Sequence, residues 1–204
     1  MKITAQAIAR WRLRNQRLVG PHAVRAVDAV GDLLAVQAEN PSQSAWAVAS
    51  RTLEPSQRDV KAALRDGRLI RTHVLRPTWH YVRAEDVGWL IELTAPRVRR
   101  TTETQLRGVH GFDARALDRA TTAVVEILEE ETDRTRSQLA EELRERGVET
   151  DGQSLMILLA HLELDRIVCS GRPSGEEHTY ALFAERVPNP RRPERDEALG
   201  ELAW

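Results

Sequence analysis

Residues 151–183 read DGQSLMILLAHLELDRIVCSGRPSGEEHTYALF, and this stretch decides the fold. Asp151 stands where a helix cap belongs, and the apolar run through Leu164 is long enough for a helix. DRIVCS and HTYALF are short and rich in β-branched and aromatic residues. They flank GRPSGEE, a turn composition, so they read as a strand–turn–strand wing. Upstream, residues 114–132 place Leu117, Val124, Ile127 and Leu128 on one helical face. Thr135-Arg136-Ser137 opens a shorter helix that Gly147 closes. Three helices followed by a wing make the winged variant of the helix-turn-helix.

A similar order precedes it. Residues 4–17 read as a helix capped by Thr4, with Ile8, Trp11 and Leu18 near one face. Residues 22–37 read as a second helix with Val24, Val27, Val30 and Leu34 in a stripe, ended by Asn40-Pro41. A third begins at Pro41-Ser42, and Ser56 caps a fourth that Gly67 closes. LIRTHVLRPTWHYV then alternates: strand 69–75, a turn at Arg76-Pro77, strand 78–82. Helix follows over 84–107, with Pro96 a point of kinking or division. The predicted class is mainly α with short β-hairpins, arranged as tandem winged helices. An N-terminal basic domain spans 1–110, a second winged helix spans 111–187, and residues 188–204 are a Pro-rich linker with the start of a following element.

No run approaches the 18 apolar residues of a membrane span, and MKITAQAIARW lacks the apolar core of a signal peptide. Cys169 is the single cysteine, which excludes an internal disulfide and a multi-cysteine metal site. The expected location is cytoplasmic. Arg dominates the basic residues (only Lys2 and Lys61 are lysines), a bias expected of a GC-rich bacterial source.

The formal net charge of −1 hides a division. Residues 1–110 hold 18 basic and 10 acidic side chains; residues 111–204 hold 12 and 21. A polyanion is therefore expected to meet the N-terminal half. Helix 151–164 is poorly suited to reading bases. It offers Gln153 and Ser154, then apolar residues and Glu163, inside an acidic domain that duplex phosphates would repel. In the basic half, candidate DNA contacts are Arg12 on the first helix, Arg71, His73, Arg76, Thr78 and His80 on the hairpin, and Arg97 and Arg100 on the following helix. Alternation puts Trp79 and Tyr81 on one hairpin face as core, and Thr78 with His80 on the other, toward a cleft. His73 and His80 have no third ligand nearby in sequence, so neither a metal nor a cofactor is expected.

One stretch fits none of this: VQAENP, residues 36–41. Gln37 and Glu39 are two residues apart at the end of an apolar run. They are either solvated end-of-helix residues or an amide and a carboxylate facing one spot, able to hold a water. The order VQAENPSQSAWAVASR, then RLIRTHVLRPTWHYVRAEDVGWLIELTAPRV, then the second winged helix, resembles the AlkZ-like DNA glycosylases over essentially the whole chain. That family is built of tandem winged helices, removes bulky alkylated bases and unhooks interstrand crosslinks. Its catalytic signature is Gln-x-Gln, with Gln-x-Asp in a second branch; Gln37-Ala38-Glu39 keeps the first residue and departs at the second. The resemblance implies damaged double-stranded DNA as partner, Gln37 and Glu39 as catalytic residues, and a longer protein with a third winged helix and a β-rich C-terminal part. The departure at Glu39 leaves two readings open, a retained water activator or a drift away from catalysis. The alternatives are a non-catalytic winged-helix DNA-binding protein or regulator, and a protein-interaction module.

Overall fold

The computed structural model describes residues 3–203; Met1, Lys2 and Trp204 lie outside the described residues. The order is α1 Ala5–Asn15, α2 Ala26–Asp32, β1 Ala35–Gln37, α3 Pro41–Ala49, α4 Gln57–Arg65, β2 Leu69–His73, β3 Trp79–Arg83 and α5 Ala84–Gly108. It continues with α6 Ala114–Glu130, β4 Arg134–Thr135, α7 Arg136–Glu145, α8 Gly152–Leu164, β5 Val168–Ser170, β6 Thr179–Leu182, α9 Phe183–Arg186 and α10 Arg195–Ala203. The fold is mainly helical with two small antiparallel sheets.

The two sheets share one connectivity. Each is three-stranded, in the orders β1-β3-β2 and β4-β6-β5, so a short leading strand pairs with the last strand of the hairpin. In each unit a helix leads directly into the short strand (α2 into β1, with α1 ahead of it, and α6 into β4), and two helices separate that strand from the hairpin. The short strands are where the sequence reading departs from the structure. Helix 22–37 stops at Asp32, because Leu34 takes a left-handed conformation (φ 58) and turns the chain into β1. β1 then pairs Ala35, Val36 and Gln37 with Val82, Tyr81 and His80. Residues 35–37, read from sequence as the end of a helix, are thus drawn into a ladder by the hairpin.

Helix ends follow their local chemistry. Thr4, Asn40, Ser56, Asp113, Thr135 and Asp151 each accept a backbone N–H as caps. Thr135 and Gln138 form a reciprocal capping box. Gly67 and Gly147 take positive φ just beyond α4 and α7, where a side chain would be strained. Pro96 lies inside an undivided α5. The hydrogen bond it removes belongs to the Glu92 carbonyl one turn back, and Glu92 is exposed to solvent.

Three cores result. One joins α2, α3 and α4 to the Tyr81 side of the first sheet. A second gathers α6, α7, α8 and the second sheet, with Leu106 of α5 joining it. The third draws Ile70, Val82, Leu90 and Ile91 from the N-terminal half together with Leu164, Cys169 and Phe183 from the C-terminal half. Thr102 to His161 at 3.0 Å and Arg99 to Asp165 at 2.7 Å extend this seam along α5 and α8. α1 stands apart: it buries no residue, and Trp11 is 62% exposed, so the face predicted from Ile8, Trp11 and Leu18 packs on no core. Among the described residues no helix is long and apolar enough to cross a membrane.

Candidate nucleic-acid interface and water-binding pair

Gln37 ends an edge strand, and the next three residues are pinned one by one. Ala38 is fully buried, and its N–H donates to the Trp79 carbonyl at 2.7 Å. A continuing strand would next offer a backbone acceptor to Trp79. Here the Glu39 side chain takes that place, accepting the Trp79 N–H at Oε1 over 2.6 Å. Asn40 then caps α3 by accepting the Gln43 N–H at 3.0 Å, and Pro41 occupies the first turn of the helix. The Tyr81 hydroxyl donates to the Pro41 carbonyl at 3.3 Å.

Both exposed side chains therefore meet the same hairpin end. Gln37 Oε1 accepts from Arg76 Nη2 at 3.4 Å, while Glu39 meets Trp79 three residues along. With its oxygen toward Arg76, the Gln37 amide keeps its NH2 as a donor. With one oxygen on Trp79, the Glu39 carboxylate keeps the other as an acceptor. A donor and an acceptor on one turn are what a positioned water needs.

Of the other sequence candidates, the contacts bring Arg71 and Arg76 to this turn. Arg71 is half-buried, with its guanidinium spread over protein partners: Nε donates to Ala38 O at 2.9 Å and Nη2 to Glu39 O at 3.4 Å. His73 is 8% exposed, and Glu163 receives both its ring Nδ1, at 2.5 Å, and its backbone N–H, at 3.0 Å. His80 is 4% exposed, with Nδ1 donating to the Thr78 carbonyl at 2.9 Å. The hairpin edge offered in sequence as a cleft wall therefore turns two of its histidines inward. Thr78 is half-buried, and its hydroxyl has no partner among the described residues. Trp79, read as core, lies half-buried between the halves. His73 at 4.7 Å and His178 at 4.3 Å flank its ring, and Arg71 lies 3.9 Å above the ring centre. Arg12, Arg97 and Arg100 are exposed on α1 and α5, and none forms an ion pair among the described residues. Among the described residues no three metal-ligating side chains gather.

The sequence reading does not place His178 at this site, nor its contact with Arg71 Nη1 at 3.4 Å. Burial first, then the Arg71 and His73 charges, hold His178 well below the usual imidazole range. Burial likewise lowers His80, against the pull of its bond to Thr78. Unfolding returns both to about 6.5, so below that pH the unfolded chain binds more protons than the folded one. The stability these groups contribute is complete above about pH 6.5 and is lost as pH falls toward their folded values. The melting temperature is expected to drop between about pH 7 and 5.5, with a shallower drop in His178→Phe, as read by scanning calorimetry.

The architecture has a solved counterpart. The whole chain matches 56% of the Streptomyces sahachiroi DNA glycosylase AlkZ, with a TM-score of 0.75 and 26% sequence identity. A 129-residue stretch, 63% of the chain, is 30% identical to an interstrand DNA cross-link repair glycosylase of the same organism and covers 34% of that protein. The chain thus spans about a third of the curated relative and just over half of the solved one. The family model described as DNA glycosylase AlkZ-like extends over residues 30–203, taking in the Gln37–Glu39 turn, both sheets and the seam between them. By that span the chain belongs to the AlkZ-like DNA glycosylases.

Proposed function

We propose that this chain carries the water-handling turn of a DNA glycosylase that excises N7-alkylated or crosslinked purines from duplex DNA by hydrolysis. The observation that carries the reading is the pair of free groups at the end of β1, the Gln37 amide and the second Glu39 oxygen, on a turn locked by the hairpin. An N7-alkylpurine is cationic and leaves readily. As the bond from C1′ to N9 breaks, its electron pair goes to the base, which departs neutral, and positive charge develops on the sugar. The Glu39 carboxylate stabilises that charge and takes a proton from the water attacking C1′, while the Gln37 amide orients the water. No Schiff base is formed, so no lysine is needed.

The two helix–strand–helix–helix–hairpin units are read as tandem winged helices, over 1–110 and 111–187, with 188–204 leading into a further element. Their matching strand orders support this. The N-terminal unit and α5 meet the DNA backbone through Arg76, Arg97, Arg100 and Arg12, while the acidic second unit buttresses the first. An arginine that neutralises one phosphate accounts for about 0.9 of the log–log slope of affinity against salt. Arg97→Ala and Arg100→Ala are each expected to reduce the slope by about that much, in fluorescence-anisotropy titrations over a range of salt. Incubating the protein with duplex carrying N7-alkylguanine, and measuring the released base by chromatography, tests the activity itself. Binding without release would instead support a non-catalytic DNA-binding protein.

A further inference from the structure

We propose that Arg71 is a positioning residue, through which the C-terminal half fixes the Gln37–Glu39 turn for attack on the glycosidic bond. The inference rests on the reading of Gln37 and Glu39 as the water-handling pair.

Arg71 lies on β2, opposite Tyr81 of the central strand, one strand away from β1. Its guanidinium reaches past the central strand to two successive carbonyls of the turn, Ala38 O at 2.9 Å and Glu39 O at 3.4 Å. The remaining terminal nitrogen, Nη1, points into the other half of the molecule and donates to His178 Nδ1 at 3.4 Å. That bond requires His178 to carry its proton on Nε2, the neutral tautomer. The guanidinium carbon lies over the Trp79 ring, 3.9 Å from its centre, and His178 meets the same ring edge-on at 4.3 Å. The Arg71 backbone is tied to the second half as well, its N–H donating to Ser170 Oγ at 2.9 Å.

A continuous set of contacts follows from these. His178 and Ser170 hold Arg71, Arg71 holds the carbonyls at 38 and 39, and Trp79, beneath Arg71, holds the Glu39 carboxylate through its N–H. Each of the three guanidinium nitrogens thus meets an acceptor inside the protein. A guanidinium suits the task because its planar fork reaches acceptors spread along the turn while its face lies flat on the indole; an ammonium gathers its donors on one atom and has no plane to stack. Displacing a reacting group by about 1 Å costs on the order of 100-fold in rate, so a residue that helps hold this turn is visible in turnover rather than in binding.

The test compares wild type, Arg71→Lys and His178→Phe by two readouts. The first is steady-state release of N7-alkylguanine from duplex. Arg71→Lys is expected to lower kcat about 100-fold with KM nearly unchanged, and His178→Phe to lower it several-fold in the same way. The second is hydrogen exchange of the Trp79 amide by NMR, which reports the Glu39 contact whether or not the protein turns over. Exchange is expected to accelerate in both variants. A raised KM with kcat retained and a reduced salt slope would make Arg71 a phosphate contact and overturn the proposal. Unchanged Trp79 exchange in Arg71→Lys would also overturn it. If wild type releases no base, the glycosylase reading fails by itself, and the exchange measurement alone decides whether Arg71 positions the turn. A His178→Phe protein identical to wild type in both readouts removes the second half from the arrangement and overturns that part.

Discussion

Glu39→Ala is expected to release N7-alkylguanine from duplex about 100- to 10,000-fold more slowly than wild type, the usual contribution of a positioned general base. The variant loses two things at once. One is the acceptor for a water proton and the negative charge beside the developing cation. The other is the acceptor for the Trp79 N–H, now met at 2.6 Å, without which the turn loses its link to the hairpin. Glu39→Gln separates them. The amide oxygen can still take the Trp79 N–H, so the turn stays in place, but the atom facing the substrate becomes a donor in place of an acceptor. It also restores the Gln-x-Gln pattern of the family. A smaller loss in Glu39→Gln than in Glu39→Ala, with equal affinity for undamaged duplex, is the expected result in single-turnover release. Wild-type rates in Glu39→Ala would remove Glu39 from the reaction and leave DNA binding as the function of this surface.

The placement of that pair is half legible in the sequence. Gln37 and Glu39 stand out as polar residues ending an apolar run, but the run reads as helix because Val24, Val27, Val30 and Leu34 keep helical spacing. A three-residue strand has no period of its own. It exists because Val82, Tyr81 and His80 lie across from it, and no window of local sequence contains those partners. One local signal points the right way: Asn40-Pro41 is a cap followed by a first-turn proline, which starts a helix at 41 and asks for extended chain before it. The longer elements are readable for the opposite reason. In α6 and α8 the cap, the apolar positions and the closing residue lie within one stretch.

The histidines and α1 fail for a related cause. Alternation assigns a residue to a face, but not to a neighbour. His73 and Trp79 share a face, and what covers that face is Tyr180 and His178, about a hundred residues later. Arg71 reads as a DNA contact because basic and aromatic residues interleave on the hairpin; its acceptors at Ala38 and Glu39 are 33 and 32 positions away. α1 has the right spacing for a buried face but nothing packed against it, and spacing alone cannot supply a partner.

Glu163→Ala is the substitution expected to cost the fold most. Glu163 is 0% exposed on α8 and serves the first hairpin from the other half of the chain. Its Oε2 accepts the His73 ring at 2.5 Å and the His73 backbone N–H at 3.0 Å. Truncation leaves a buried ring nitrogen and a buried backbone donor without partners, together with the volume of the missing side chain. Losing one member of a buried pair costs about 3–5 kcal/mol, and each kilocalorie lowers the melting temperature of a chain this size by roughly 2–4 °C. A fall of roughly 6–20 °C is expected by scanning calorimetry. Glu163→Gln should fall much less, because its amide oxygen can still meet the backbone N–H of His73. The double variant Glu163→Leu/His73→Phe separates the ring from the backbone. It removes the polar ring and its partner together, yet the N–H of residue 73 still needs an acceptor. A residual cost of about 1–3 kcal/mol is therefore expected. A double variant as stable as wild type would mean that this N–H finds another partner, and that Glu163 serves the histidine ring alone. A residual cost would instead make Glu163 a surrogate strand for the unpaired, buried edge of β2, the same device by which Glu39 completes the ladder at β3.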